Sequence, residues 1–148
     1  MIKTFEQFIK TDITAELNGG NVIFKLNETE IGELAVNIGY FDDIQNEYSD
    51  SIEDFDNSIM RKFDYNKPIV NIEDIWVYKN FRGQNLFREM LNKGLELLTR
   101  KYSQFILRAS SDNGFPENKL VEIYKDAGFI PYQETEEDGT IMFQIYKK

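Results

Sequence analysis

The chain has 148 residues, 41% of them hydrophobic and 14% aromatic, with no cysteine and no histidine. That length supports one domain burying roughly two thirds of its unfolded surface, and the missing thiols and imidazoles exclude disulfide frameworks, Cys/His zinc sites, cysteine nucleophiles and Ser-His or Cys-His relays. A formal net charge of −9 works against nucleic acid and for cationic ligands; acid–base chemistry falls to Asp, Glu, Tyr, Lys, water or the backbone, and any metal site would need oxygen ligands alone.

The first residues, MIKTFEQFIKTD, carry Ile2, Phe5, Phe8 and Ile9 at a helical spacing broken by charges, without the continuous apolar stretch of a signal peptide. No apolar run approaches the ~18 residues of a membrane span, so the expectation is a cytoplasmic protein with no membrane partner. Strands are expected at 13–17, 21–27 and 30–41, joined by Asn18-Gly19-Gly20 and by Asn27-Glu28-Thr29, as an antiparallel meander. The segment 42–67 has weak helical periodicity (Ile52, Phe55, Ile59, Phe63) and many carboxylates. It is expected to be too acidic for a buried element, and to form a partly helical insertion over the sheet.

From Pro68 onward the pattern reads strand 69–77, helix from about 85 to 100, strand 104–109, helix 116–127, strand 129–134 and strand 140–146. Leu86, Phe87, Met90, Leu91, Leu95 and Leu98 form one stripe of the first helix, with Arg88, Glu89, Asn92, Lys93 and Glu96 on the other side. Pro116 and Gly128 bracket the second helix, whose apolar stripe is Leu120, Val121, Tyr124 and Ala127. Turn residues at Glu137-Asp138-Gly139 make the last two strands a hairpin. The fold class is α/β with a central mixed sheet of six to seven strands and helices on both faces.

One corner carries chemistry. In IEDIWVYKNFRGQNLFREML (72–91) a strand runs through a short glycine-bearing turn straight into a helix, which gathers backbone N–H groups and the positive end of the helix dipole at one point. Phosphates suit such a place, and Arg82 adds a charge-assisted donor. The stretch contains neither GxxxxGK[ST] nor GxGxxG with a downstream acidic residue.

The same segment resembles the GNAT superfamily of N-acetyltransferases, in which an acidic-acidic-apolar-x-Val strand leads to aromatic-Arg-Gly and a phosphate loop of the form [RQ]xxGx[GA]. LVEIYKDAGFIPY (120–132) is similar to that superfamily's later signature, a helix ending in Tyr-x-x-x-Gly-Phe before the next strand. The resemblance covers 69–148 and extends to the 21–41 hairpin, but not to the first 20 residues or the acidic insertion. Two positions depart from the loop pattern. Asn85 stands where the first glycine is expected; asparagine is the non-glycine residue that best tolerates left-handed geometry. Phe87 stands at the second small position, and its ring either points into the core between sheet and helix or fills the space a pyrophosphate needs.

The resemblance implies a single GNAT-like domain over 1–148 that uses acetyl-CoA as co-substrate and no metal. It implies coenzyme contacts from Ile75, Trp76 and Val77 beside the pantetheine and from Arg82, Gly83, Gln84, Asn85, Leu86 and Phe87 at the pyrophosphate. Glu73 matches the position often used as base, with Asp74 second; Tyr124 matches the tyrosine that protonates the leaving sulfur. Asn118 is a weaker match to a coenzyme contact, and Trp76, Phe41 and Tyr40 stay unassigned between the lining of an acceptor pocket and the core, where lone strand aromatics more often belong. The expected activity is direct acetyl transfer to a primary amine, in a small molecule or a protein, with the 42–67 segment as a lid or acceptor wall that favours cations. A homodimer is compatible with this reading and nucleic acid is not a partner. The alternative is a non-catalytic module of the same fold, in which Phe87 plugs the cradle and the acidic surface binds a basic protein.

Overall fold

Two tight turns organise the first described strands. A computed structural model describes residues 13–48, 62–82, 86–110, 116–135 and 139–146; the N-terminal helical pattern, Ile52, Phe55 and Ile59, and Gly83, Gln84 and Asn85 lie outside the described residues. In chain order the elements are β1 (Ile13–Asn18), β2 (Asn21–Leu26), β3 (Thr29–Gly39), α1 (Phe41–Tyr48), β4 (Ile69–Val77), a 3-10 turn (Lys79–Phe81), α2 (Leu86–Leu98), β5 (Gln104–Ala109), α3 (Glu117–Asp126), β6 (Ile130–Thr135) and β7 (Gly139–Ile145). The strands form one seven-stranded sheet in the order β1-β2-β3-β4-β5-β7-β6, the mixed sheet expected from the sequence. The chain divides into two compact units.

The first unit comprises the described residues up to Val36 together with Asp74–Arg100. Gly19 turns β1 into β2 at φ 66°, and Asn27 turns β2 into β3 at φ 59°, a left-handed geometry that glycine and asparagine accept at least cost. The antiparallel registers run from Ile13↔Leu26 to Asn18↔Asn21, and from Leu26↔Thr29 to Asn21↔Ala35, with a bulge at Phe24/Lys25. On α2 the buried residues are Leu86, Phe87, Met90, Leu91, Gly94, Leu95 and Leu98, the expected stripe plus Gly94. Each fully buried Leu or Met of this kind stabilises the fold by roughly 1.5–3 kcal/mol. Gly32 lets the layers close: a Cβ there would lie 2.5 Å from the Trp76 carbonyl oxygen and would strike the Met90 methyl.

The second unit comprises Asn37–Glu73 and the described residues from Lys101 on. Here β4 pairs in parallel with β5 at Val70↔Phe105, Asn71↔Ile106 and Ile72↔Leu107. Antiparallel β7 lies between β5 and β6, with a bulge in β6 at Pro131/Gln133.

The acidic segment behaves differently from expectation at its start. Strand β3 ends at Gly39 rather than at 41, and Phe41 opens a helix. Tyr40 precedes its first turn, and the Tyr40 backbone N–H donates to Asp43 Oδ2 at 3.3 Å, one half of a capping box. Asp42 and Asp43 lie in that first turn, where the helix dipole favours anions. The helix is nevertheless a buried element on one side: Phe41, Ile44 and Tyr48 join Phe63, Ile69, Ile106, Ile141 and Phe143 in a single apolar cluster. The carboxylates occupy the other side, so net acidity did not prevent burial; the three apolar positions at i, i+3 and i+7 decided it.

Helix α3 buries Leu120, Ile123 and Tyr124, with Val121 and Ala127 half-buried. Gly128, at φ 102°, ends it. The Phe129 N–H reaches the Tyr124 carbonyl at 3.0 Å and the Gly128 N–H reaches the Lys125 carbonyl at 2.9 Å, the bond pair of a Schellman stop. The Tyr124 and Phe129 rings meet edge to face at 5.9 Å, the apolar contact that accompanies this stop.

One buried side chain ties the approach to β4. Gln104 is 2% exposed; its Oε1 accepts from the Asp64 N–H, while its Nε2 donates to the Asp64 and Lys67 carbonyls, both at 3.2 Å. Gln104→Leu keeps the volume but leaves those backbone groups without their partner. It is expected to lower unfolding free energy by about 1–3 kcal/mol, read as a shifted urea midpoint at unchanged m-value.

Candidate functional site

Strand β4 carries the candidate base. Ile69, Val70, Asn71 and Ile72 are all buried, then Glu73 and Asp74 are both exposed, and Ile75 is buried again. The last rung that β4 shares with β5 is Ile72↔Leu107, one residue before Glu73, and β4 continues to Val77. Glu73 belongs to the second compact unit and Asp74 begins the returning part of the first.

Asn71 is the residue that sequence reasoning passed over. It is 4% exposed in an otherwise apolar run, and a buried carboxamide must find partners. Its Oδ1 accepts from the Tyr48 hydroxyl at 2.7 Å, and its Nδ2 donates to Glu47 Oε2. Asn37 Nδ2 donates to the other Glu47 oxygen at 2.7 Å. The Arg108 guanidinium lies over the Tyr48 ring, 5.3 Å from its centroid. Burial raises the Tyr48 phenol well above its ordinary value; Arg108 opposes the shift, and the charges of Glu47 and Glu73 add to it. The signal available in the sequence was the single polar residue at a core position of IVNI (69–72).

The first unit places the candidate coenzyme residues as follows. Ile75 is buried, Trp76 and Val77 half-buried. Tyr78, at the end of β4, donates its N–H to the Ile31 carbonyl at 2.9 Å; burial, then its hydrogen bond and charge contact with Glu33, push its phenol up to about 12. Arg82 caps the 3-10 turn in an extended conformation and its Nε donates back to the Val77 carbonyl at 3.1 Å. That bond ties the arginine to the end of the strand. Gly83, Gln84 and Asn85 lie outside the described residues. Leu86 and Phe87 are buried, 2% and 5% exposed, so a phosphate would meet their backbone and not their side chains. At 3.6 residues per turn, Phe87 falls in the middle of the buried arc of α2, between Leu86 and Leu95. Of the two alternatives for this ring, the core one holds. The ring therefore belongs to the buried face of α2.

Tyr124 is 6% exposed and built into the stop of α3. Asn118 is exposed in the first turn of the same helix. Phe41 is a core residue of the α1 cluster, whereas Tyr40 is exposed.

No protein-family model matches the sequence, and no curated protein does. Solved structures match the fold. Arylalkylamine N-acetyltransferase 2 from Aedes aegypti is 17% identical, over 86% of this chain and 74% of that one, with a TM-score of 0.58. A GNAT-family acetyltransferase from Listeria monocytogenes is 15% identical, over 86% of this chain, at a TM-score of 0.58; the match spans 65% of the Listeria protein, just under two thirds. Arabidopsis thaliana Naa50, in complex with the bisubstrate analogue CoA-Ac-MVNAL, is 15% identical over 85% of this chain and 72% of that one, at a TM-score of 0.52. At such identities the likeness is one of fold: the chain has the fold of the GNAT-family acetyltransferases. No helix among the described residues is long and apolar enough to cross a membrane.

The raised phenols give an alkaline signature. Below about pH 10 tyrosines are neutral in both folded and unfolded chains. Above it the unfolded chain releases protons that folded Tyr48, Tyr78 and Tyr146 retain, so stability falls as pH rises. Tyr48→Phe should remove one contribution, making the fall shallower by up to about 1.4 kcal/mol per pH unit. At neutral pH it should cost about 1 kcal/mol for the lost bond to Asn71. Thermal melts across the alkaline range check both.

Proposed function

We propose that this GNAT-fold chain is an acetyl-CoA-dependent N-acetyltransferase, a single cytoplasmic catalytic domain acting on a primary amine in a cationic acceptor. The observation that carries the reading is β4 itself: its ladder with β5 ends at Ile72↔Leu107 while the strand runs on to Val77 and through Arg82 towards the first turn of α2. A strand end released from one neighbour suits a pantetheine arm running beside Ile75, Trp76 and Val77. Arg82, with the backbone of Gly83, Gln84, Asn85, Leu86 and Phe87, is assigned to the pyrophosphate.

In the assigned chemistry Glu73, directly or through a water, takes a proton from the acceptor ammonium. The freed amine attacks the thioester carbonyl carbon, a backbone N–H of Ile75, Trp76 or Val77 stabilises the oxyanion, and the carbon–sulfur bond breaks as the amide forms. Tyr124 gives its proton to the departing thiolate and is restored by the second proton that the nitrogen loses as the amide forms, directly or through water, while Glu73 returns its proton to solvent. The products are one amide and one coenzyme thiol. Without cysteine an acyl-thioenzyme is excluded, which favours direct attack in a ternary complex. The rival reading as a non-catalytic module relied on Phe87 plugging the cradle, and the buried ring at the middle of the α2 core face speaks against it.

Calorimetry with acetyl-CoA should show saturable binding, and initial-rate lines against an amine panel should intersect rather than run parallel. Glu73→Gln and Tyr124→Phe are each expected to lower kcat by about 10²–10⁴-fold with coenzyme affinity retained. Absence of coenzyme binding sinks the enzyme reading; full rates in both variants sink the assigned residues alone.

A further inference from the structure

The last turn of α1 goes against a local rule. Glu47 lies one residue from the helix end, and no basic residue accompanies it there, although the negative pole of the dipole disfavours a carboxylate. An exposed glutamate so placed would be expected to swing into water. Instead both of its oxygens are held, Oε1 by Asn37 Nδ2 at 2.7 Å and Oε2 by Asn71 Nδ2. Asn37 comes from the end of β3, Asn71 from buried β4, and Asn71 is fixed in turn by the Tyr48 hydroxyl at 2.7 Å. Every donor in this chain points towards Glu47, so the bonds reinforce one another and fix the orientation of its carboxylate.

A carboxylate offers about four lone-pair sites. Two are taken by the carboxamides, and Glu47 is exposed, which leaves the remainder to a ligand carrying N–H donors. Asn71 and Glu73, two apart, share a face of β4. Asn71, which holds the Glu47 carboxylate, therefore lies roughly 7 Å along the strand from Glu73, and the charges of Glu47 and Glu73 both act on the Tyr48 phenol.

We propose that Glu47 is a specificity-determining residue that selects acceptors bearing a second positive charge besides the amine to be acetylated, with Asn37 and Asn71 as its positioning residues. The inference rests on the acetyltransferase reading above. In that arrangement Glu73 takes the reacting ammonium and Glu47 holds the distal one. Arg108, stacked on the Tyr48 ring, brings a positive charge to the same neighbourhood and defines the competing case, an acceptor whose far end is a carboxylate.

Steady-state kinetics of the full chain test this with three acceptors of equal chain length: a linear diamine, the monoamine, and the amino acid with a terminal carboxylate. The wild type should prefer the diamine, and added salt should erode the preference. Glu47→Gln should raise KM for the diamine by about tenfold, with kcat and the monoamine constants unmoved. Glu47→Asp, which keeps the charge, should recover part of the loss, and Glu47→Gln, which keeps an acceptor oxygen at the same reach, should melt close to the wild type. Equal losses for diamine and monoamine, or a diamine preference that survives Glu47→Gln, overturn the assignment; preference for the amino acid transfers recognition to Arg108 and overturns it as well. Acetylation that ignores the second charge defeats this inference alone, whereas a wild type that acetylates no amine defeats the acetyltransferase reading on which it rests.

Discussion

A carboxamide buried in an apolar strand constrains much of the second unit. Asn71 sits among Ile69, Val70 and Ile72, all buried, where an unpaired amide would cost about 1–3 kcal/mol. Its partners come from α1 alone in the described structure, the Tyr48 hydroxyl and the Glu47 carboxylate. An acidic helix is thereby required to dock on β4, and docking is what carries Phe41, Ile44 and the Tyr48 ring into the cluster with Ile69, Ile106, Ile141 and Phe143. Apolar burial supplies the energy, while the polar contacts fix the register. Sliding α1 by a residue would keep part of the burial and lose every one of those hydrogen bonds.

The end of α3 is fixed by a local constraint of another kind. Tyr124 contributes its carbonyl and its ring to the stop at Gly128 and Phe129, which makes Tyr-x-x-x-Gly-Phe intelligible as a folding signal whatever the phenol does.

Much of this was readable from the residues. Local rules placed the turns at Gly19 and Asn27, the α2 stripe, and the helix stop at Gly128, because each depends on neighbours within a few positions. The acidic segment was misjudged where composition was weighed above periodicity: Phe41, Ile44 and Tyr48 lie on one helical face, and their carboxylate neighbours lie elsewhere. Asn71, Glu47 and Asn37 are separated by 34 positions at the extremes of the chain numbering, from Asn37 to Asn71, and no local pattern announces a hydrogen-bond network assembled by tertiary contact. The question about Phe87 was likewise tertiary. Its position on the wheel said it could be core, and the packing of α2 decided it. The catalytic assignments of Glu73 and Tyr124 come from family resemblance and remain proposals, consistent with an exposed carboxylate on β4 and a buried phenol on α3.

Strand β6 closes one side of the sheet, and its bulge at Pro131/Gln133 bears on how the molecule behaves in company. A proline offers no amide hydrogen to a newcomer, and an extra residue spoils the even spacing that a docking strand would need. Continuation of the ladder from this margin into a second molecule is thereby disfavoured, which works against fibrous self-association.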